Sequence, residues 1–523
     1  MHADPARLTR NAGEHLHRFH GGLRLRHNKQ ISCQVAVVRP PLPELLIVPL
    51  LQHTGATATP TVQAGDTVLK GQEIGRNEDD PECHIHAPSS GVVEGIESRG
   101  MAHPTGMTGP CVLIRPDGND RWCELKPLRD WQAATPEALN EAIGQAGVVG
   151  LGGAVFPTRR KSELGWRARI HTLVLNGAEC EPYISCDEML MRERPDAVVL
   201  GAQILQRAAG AERTLIAIED QMGAVQKALE AAIRRSGASG LTVVKIPSIY
   251  PEGGERQLIE VLTGQEVPDG GLPADLGLSC QNVATAAAVA AAVTEGKPLI
   301  ERYVTVTGNG VRQPRNLLAL IGTPVSHLVA QCGGYTDEAT RIVTGGPMMG
   351  YSLPSDAEPV VKASNCILVL TRADIAPVQD EMPCIRCGEC ARVCPARLLP
   401  QQLHWQIVNG LWEEAAEDKL SACIECGCCD FVCPSHIPLV EWFRFGKAEL
   451  RRQEIERQAA DHARMRFQAR EERLQRAEEE RKERIAKRKQ ALQDQAQQRQ
   501  RLAAAIDRAE DPKPGSGSGG EQP

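Results

Sequence analysis

The chain has 523 residues, more than a single hydrophobic core usually supports, so several domains are expected. Apolar residues make up 42% and aromatics only 3%, and the formal charge of −7 at pH 7 gives no basis for nucleic-acid binding. No apolar run is long enough to span a bilayer, and residues 1–7 contain no apolar leader segment, so neither a membrane span nor secretion is expected. Of the 18 cysteines, eight fall in two regular runs and the others are scattered, which suits a reducing compartment.

Taken in chain order, residues 1–30 read as an N-terminal arm and residues 31–130 as a β domain. An apolar run at 45–51 is followed by closely spaced turns rich in Gly and Asp. Residues 62–75 pair in pattern with 86–93, and together they resemble the two halves of a barrel-sandwich (lipoyl-like) domain. A swinging cofactor arm would need a lysine at the hairpin tip, but the tip holds Arg76 to Asp80 and Lys70 lies away from it. The module is therefore read as structural.

Residues 131–299 read as an α/β domain. Strand-like runs at 172–176, 214–218 and 241–246 alternate with amphipathic stretches such as 222–235, the pattern of a mainly parallel sheet covered by helices. Three segments are candidates for ligand contact. The first is a glycine-rich loop carrying Gly150, Gly152, Gly153, Phe156 and Lys161. Its Cβ-free backbone would let a ligand approach and its N–H groups would form an anion nest, although a tight turn explains the glycines equally well. The second, Asn176 to Pro182, places Glu179 and Glu181 after a strand, where open α/β sheets bind ligands. The third, Tyr250 to Glu255, is a glycine turn entering a helix, compatible with an anion site or with simple capping.

Residues 300–370 begin with hairpin chemistry at 303–312 and continue into a short helix near 324–330. Residues 371–445 hold the cysteine runs: Cys384, Cys387, Cys390 and Cys394 before Pro395, then Cys423, Cys426, Cys429 and Cys433 before Pro434. This is the spacing of a bacterial two-cluster ferredoxin, in which the fourth cysteine of each run serves the other [4Fe-4S] cluster. Cys384, Cys387, Cys390 and Cys433 would then hold one cluster, and Cys394, Cys423, Cys426 and Cys429 the second. Zinc sites fit four-cysteine runs poorly, because zinc usually takes pairs from separated arms. Apolar residues at helical spacing between the runs, at 403–412, predict helices around the clusters. Residues 446–510 read as a charged helix with no steady heptad seam, favoured as a solvated spacer over a docking helix, and 511–523 as a disordered tail.

The ligand segments occur in the order found in the flavin- and NADH-binding subunits of respiratory complex I, which carry G-x-G-G-A-G-F-P-T and N-A-D-E-x-E-P. Residues 281–285 resemble that family's N-N-V-E-T, and 303–334 its β-grasp (SLBB) module. With the barrel-sandwich head, the two-cluster tail and Phe19 to Gly22 added, the chain resembles the C subunits of Rnf/Rsx ion-translocating electron-transport complexes. The resemblance implies non-covalent FMN facing Gly150, Gly152 and Gly153, with Lys161 and Asn176 beside it. It implies Phe156 stacking on nicotinamide, Glu179, Glu181 and Glu255 binding flavin or NADH hydroxyls, and Asn282 and Thr285 at the flavin phosphate. Ala178, Gly254 and Ala284 replace acidic residues of the complex I pattern, departures that touch NADH binding more than flavin binding.

The implied activity is electron transfer between NAD(H), FMN and two [4Fe-4S] clusters. The implied setting is a peripheral position on the cytoplasmic side of the bacterial inner membrane. Partners would be sister subunits, including a ferredoxin-like B subunit, and ferredoxin, with coupled Na⁺ or H⁺ translocation. Two other readings stay open: a soluble flavin and iron–sulfur cobalamin reductase, and an electron-relay scaffold with a vestigial flavin pocket.

Overall fold

The computed structural model describes residues 11–377 and 379–510, leaving aside the side chains of 81–83 and 510. The reading of 511–523 as a tail and of residues 1–7 as leaderless lies outside the described residues. Two compact units are present, residues 1–446 and 447–523.

The head domain contains seven strands: β1 (Leu46–Pro49), β2 (Thr59–Pro60), β3 (Thr67–Val68), β4 (Glu73–Asn77), β5 (Asp80–His86), β6 (Gly91–Gly100) and β7 (Thr108–Pro116). They form two antiparallel sheets, ordered β1-β7-β6-β3 and β2-β4-β5. Alternation along the strands sends Leu46, Val48, Ile74, Ile85, Val93, Val112 and Ile114 into one core. The β4–β5 hairpin turns at residues 78–79, so no lysine stands at its tip. Lys70 is buried, paired with Asp120 at 2.5 Å and seated 5.0 Å from the centre of the Trp122 ring. A lysine held in that way is a packing element.

The α/β domain comprises α1 (Pro136–Gln145), α2 (Thr158–Ala168), β8 (Thr172–Gly177), α3 (Cys186–Glu193), α4 (Pro195–Ala209), β9 (Arg213–Glu219), α5 (Gly223–Ser236), β10 (Leu241–Ile246), α6 (Glu255–Thr263), β11 (Leu278–Asn282) and α7 (Val283–Glu295). All four strands are parallel, in the order β10-β9-β8-β11. Local chemistry sets the helix ends. Thr135 caps α1 by accepting from the Ala138 N–H at 3.3 Å, Pro195 opens α4, and Gly210 ends it at φ 70°. Helices α4 and α7 approach so closely that Gly201 has no room for a side chain, since a Cβ there would overlap the Ala286 carbonyl.

The next domain places α8 (Val325–Gln331) with β12 (Glu301–Thr307), β13 (Arg315–Leu320), β14 (Ala339–Thr344), β15 (Tyr351–Ser352) and β16 (Cys366–Thr371) in a five-stranded sheet ordered β13-β12-β16-β14-β15. The cysteine-rich region is built from short helices: α9 (Glu389–Val393), α10 (Pro400–Val408), α11 (Trp412–Glu417) and α12 (Cys428–Phe431). Helices α10 and α11 occupy the stretch between the runs, as the apolar spacing predicted. Helix α13 (Leu439–Glu510) begins in the first unit, where Phe443 is buried. Its residues 447–510 are mostly exposed and charged, laced with i, i+4 pairs such as Arg452–Glu456 and Lys482–Glu478.

Candidate functional site

The carboxyl ends of β8 and β11 lie side by side, with Asn176 and Asn282 register partners. Their amides organise the ground around the glycine loop. Asn282 caps α7 by accepting from the Ala284 N–H at 2.8 Å, and its own amide donates to Asp187 at 2.6 Å. Asn176 donates to the Gly253 carbonyl at 2.8 Å and accepts from the Ala178 N–H at 3.0 Å. Thr285, fully buried, accepts from the Leu151 N–H at 2.9 Å, fixing the loop's near end.

The loop itself is closed by the Gly150 N–H to Phe156 carbonyl bond at 2.8 Å. Gly152, Gly153 and Ala154 are exposed; Gly153 sits at φ 108°, and a Cβ there would meet nothing within 4 Å. A Cβ on Gly152 would lie 3.5 Å from the Asn282 side chain. At the start of α2, Lys161 is paired with Glu255 of α6. Phe156 is half-buried, its ring 6.0 Å from the Arg160 guanidinium. The structure thus gathers Gly150, Gly152, Gly153, Asn176, Asn282 and Thr285 around one strand-end cradle, with Lys161 and Glu255 a pair on the helices above it.

Two carboxylates of the second segment are held by backbone amides. Glu179 is buried, and its oxygens accept from the N–H groups of Asp187 at 2.8 Å and Glu188 at 3.1 Å, so it caps the start of α3. Lys29 of the arm donates to the Glu179 backbone carbonyl and stands 3.6 Å from Glu219. Glu181 accepts from the N–H groups of Met348 at 3.2 Å and Met349 at 2.7 Å, and burial pushes its pKa up to about 7. In this arrangement both carboxylates accept from backbone amides of the chain. Spacing on a strand end cannot distinguish a carboxylate turned toward a ligand from one turned toward neighbouring backbone amides.

A residue that the sequence did not single out is Thr54 of the head domain. Its N–H donates to the Val155 carbonyl at 3.1 Å and its hydroxyl to the Ala154 carbonyl at 2.9 Å. Val155 adopts φ 44°, a strained conformation for a β-branched residue, at the position where the complex I pattern has glycine. That mismatch was the available signal.

The cysteine runs surround two recesses. One, of about 400 Å³, is lined by Cys384, Cys387, Cys390 and Cys433; the other, of about 340 Å³, by Cys394, Cys423, Cys426 and Cys429. Three thiols of each run meet the fourth of the other. The backbone repeats with the pattern: Arg386 and Glu425 both sit at φ 56°, and Gly388 and Gly427 follow at 79° and 76°. Left-handed residues at these offsets curl each short loop around its recess. Four convergent thiols in an apolar recess fit an iron–sulfur cube in donor chemistry, and exposed glycine backbone beside strand-end amides and a lysine fits a flavin phosphate and ring edge.

Cys428 is a fifth cysteine beside the second recess, fully buried, with its thiol strongly biased to the protonated form by its hydrogen bond to Cys426 and by burial. Cys428→Ser is expected to leave the iron content and both EPR signals at wild-type levels; loss of the second run's signal would make Cys428 a ligand.

Glu252 is 1% exposed. Burial, reinforced by Glu219 and Asp220, raises its pKa from 4.5 to about 8. The folded protein then keeps a proton that the unfolded chain releases, so the contribution of this group is present below pH 4.5 and is lost as pH rises to 8. Glu252→Gln is expected to flatten the fall in thermal midpoint between those pH values. The gain at the alkaline end should be on the order of a few kcal/mol. An unchanged pH profile would show that Glu252 ionises normally.

Comparison with known proteins gives the same composite. Residues 17–119 match the RnfC barrel sandwich hybrid domain, 143–291 the Nuo51 FMN-binding domain, 303–352 the SLBB domain and 376–434 the 4Fe-4S dicluster domain. The fold and these domains define a flavin- and iron–sulfur-binding protein. The C subunit of the ion-translocating oxidoreductase complex of Pseudomonas aeruginosa is 47% identical over 89% of this chain and 60% of its own length. That of Rhodobacter capsulatus is 44% identical over 84% of both chains. The chain belongs to this family of C subunits, and spans 60% of the length of the Pseudomonas relative. An NAD⁺-reducing [NiFe]-hydrogenase in the H₂-reduced state is 21% identical, with a TM-score of 0.44 over 58% of this chain and 61% of that one. Among the described residues no helix is long and apolar enough to cross a membrane.

Proposed function

We propose that this chain passes electrons between NAD(H) and a pair of [4Fe-4S] clusters by way of FMN, as a peripheral subunit of a membrane-bound ion-translocating complex. The observation that carries the reading is the presence, in one compact unit, of a glycine-loop cradle at a parallel-sheet edge and two crossed four-thiol recesses. FMN, when bound, takes a hydride's two electrons together and releases them singly, which is the form iron–sulfur clusters accept.

The chain's own residues supply position. Thr285 fixes the loop from the sheet side, with Asn282 beside Gly152, Thr54 fixes it from the head domain, and Lys161 brings a cation for the phosphate or ring. Cys384, Cys387, Cys390 and Cys433 would ligate one cluster and Cys394, Cys423, Cys426 and Cys429 the other. Gly150, Gly152 and Gly153 would face the flavin, with Asn176 at its edge, and Phe156 would stack on nicotinamide. Glu255 would reach hydroxyls only by sharing its pairing with Lys161.

Sister subunits of the Rnf type, including a ferredoxin-like one, would take the electrons onward. Ferredoxin would stand at the far end, coupled to movement of Na⁺ or H⁺, on the cytoplasmic side of the inner membrane. Protein reconstituted with FMN and given NADH without oxygen should show bleaching of the flavin absorbance. Retained FMN that NADH does not bleach would leave only an electron relay.

A further inference from the structure

The two thiol recesses are not equivalent in their surroundings. The first is lined entirely by residues 384–439. Cys384 and Cys387 are exposed on its rim, and Ile385 between them is 69% exposed. The second is likewise lined by its own region, residues 394–443, but Cys394, Cys426 and Cys429 are buried and other domains pack on Cys426 and Cys428. Tyr250 packs with Cys426 and Cys428, alongside Cys180, Met348, Val393 and Leu23. Its phenol O–H donates to the Cys426 carbonyl at 2.7 Å.

Tyr250 belongs to the segment that also supplies Gly253, the acceptor for Asn176, and Glu255, the partner of Lys161. A second connection runs through Glu181, which binds the Met348 and Met349 amides; a Cβ on Gly427 would lie 3.0 Å from the Met348 carbonyl. The arm makes a third. Leu23 pairs with Tyr250 in both directions, at 2.7 and 2.9 Å, and the Gly22 N–H donates to the Val393 carbonyl at 3.0 Å. His20 Nδ1 stands 2.9 Å from the Cys394 carbonyl, and Gly21 at φ 73° leaves only 2.5 Å between a Cβ position and the Val393 backbone. Three connections, through the arm, the Tyr250 segment and the Glu181–Met348 contact, thus converge on residues 393–394 and 426–427.

We infer that the cluster held by Cys394, Cys423, Cys426 and Cys429 is the one that exchanges electrons with the flavin cradle, and that Tyr250 is the positioning residue that sets Cys426 against it. The cluster held by Cys384, Cys387, Cys390 and Cys433 is then the outer one, presented to a redox partner. This rests on the function proposed above. Electron tunnelling weakens exponentially with distance, so the recess packed on the cradle's own segments is the favoured first acceptor. For each NADH oxidised to NAD⁺, one proton goes to solvent and two electrons cross in succession; each reduces the inner cluster, which is reoxidised as it passes the electron to the outer one.

The test uses the full chain loaded with iron, sulfide and FMN. In Cys423→Ser, the remaining outer cluster should be reducible by dithionite but should lose its reduction by NADH, as read by EPR. In Cys384→Ser, NADH should still reduce the inner cluster. Reduction of the outer cluster by NADH at the wild-type rate in Cys423→Ser overturns the order. Should that variant lose both clusters, Tyr250→Phe decides: a mediated redox titration should shift the midpoint of the second run's signal alone. A shift confined to the first run's signal, or no shift, overturns the placement. If wild-type flavin is not reduced by NADH, the underlying function fails, while the Tyr250→Phe titration still reads the placement of the inner cluster.

Discussion

Cys394→Ser is expected to abolish the EPR signal of the second run's cluster and to leave the first run's signal intact, with iron falling by about one cluster in two, as the crossed two-cluster pattern requires. The reason is geometric. Cys394 follows α9 directly in the first run, yet it lies in the recess with Cys423, Cys426 and Cys429. Cys433 makes the reciprocal crossing into the recess of Cys384, Cys387 and Cys390. Each run therefore depends on the other, and Cys433→Ser should give the mirror result. Loss of the first run's signal in Cys394→Ser would mean that each run holds its own cluster.

Gly201→Val is expected to destabilise the α/β domain by about 3 kcal/mol or more, at the upper end for overpacking, because the obstacle is backbone. Even alanine at this position would overlap the carbonyl of Ala286, and two helices must separate to relieve it. The consequence extends beyond stability. Helix α7 begins at the Asn282 cap and carries Thr285, which holds the glycine loop at its sheet end. Moving α7 away from α4 moves that support, so the variant should lose FMN together with thermal midpoint. A variant with an unchanged midpoint would show that the helix pair yields without cost.

Much of this organisation was legible from the residues. The parallel strands at 172–177, 213–219 and 241–246 follow from buried β-branched and leucine-rich runs, and the helices between the cysteine runs from apolar spacing. The fourth strand of that sheet, Leu278–Asn282, was not singled out as a strand because Ser279, Gln281 and Asn282 interrupt its apolar character. Those polar residues are at the sheet's ligand edge or are buried against it, where tertiary context overrides composition. Strands β14 and β16 were likewise hidden, lying beyond the hairpin and short helix read in that region.

At the site, chemistry was easier to read than direction. Glycines, amides and cysteines could be singled out because a backbone approach, a strand-end amide and a thiolate each have few substitutes. The carboxylates Glu179 and Glu181 were placed on the right loop, yet the amides they bind come from α3 and from the Met348–Met349 turn, residues no local pattern connects to them. The arm residues His20 to Gly22 were visible only as part of a resemblance. Their use, seating Val393 and Cys394, depends on a contact across more than three hundred residues of sequence.

The measurement that addresses the central claim most directly is anaerobic reduction of the purified, cluster-loaded chain by NADH, with and without FMN. Both clusters should be reduced by NADH only when FMN is present, while dithionite should reduce them in either case. Reduction by NADH without FMN, or no reduction with it, would contradict a flavin-gated path from nicotinamide to the two cysteine runs.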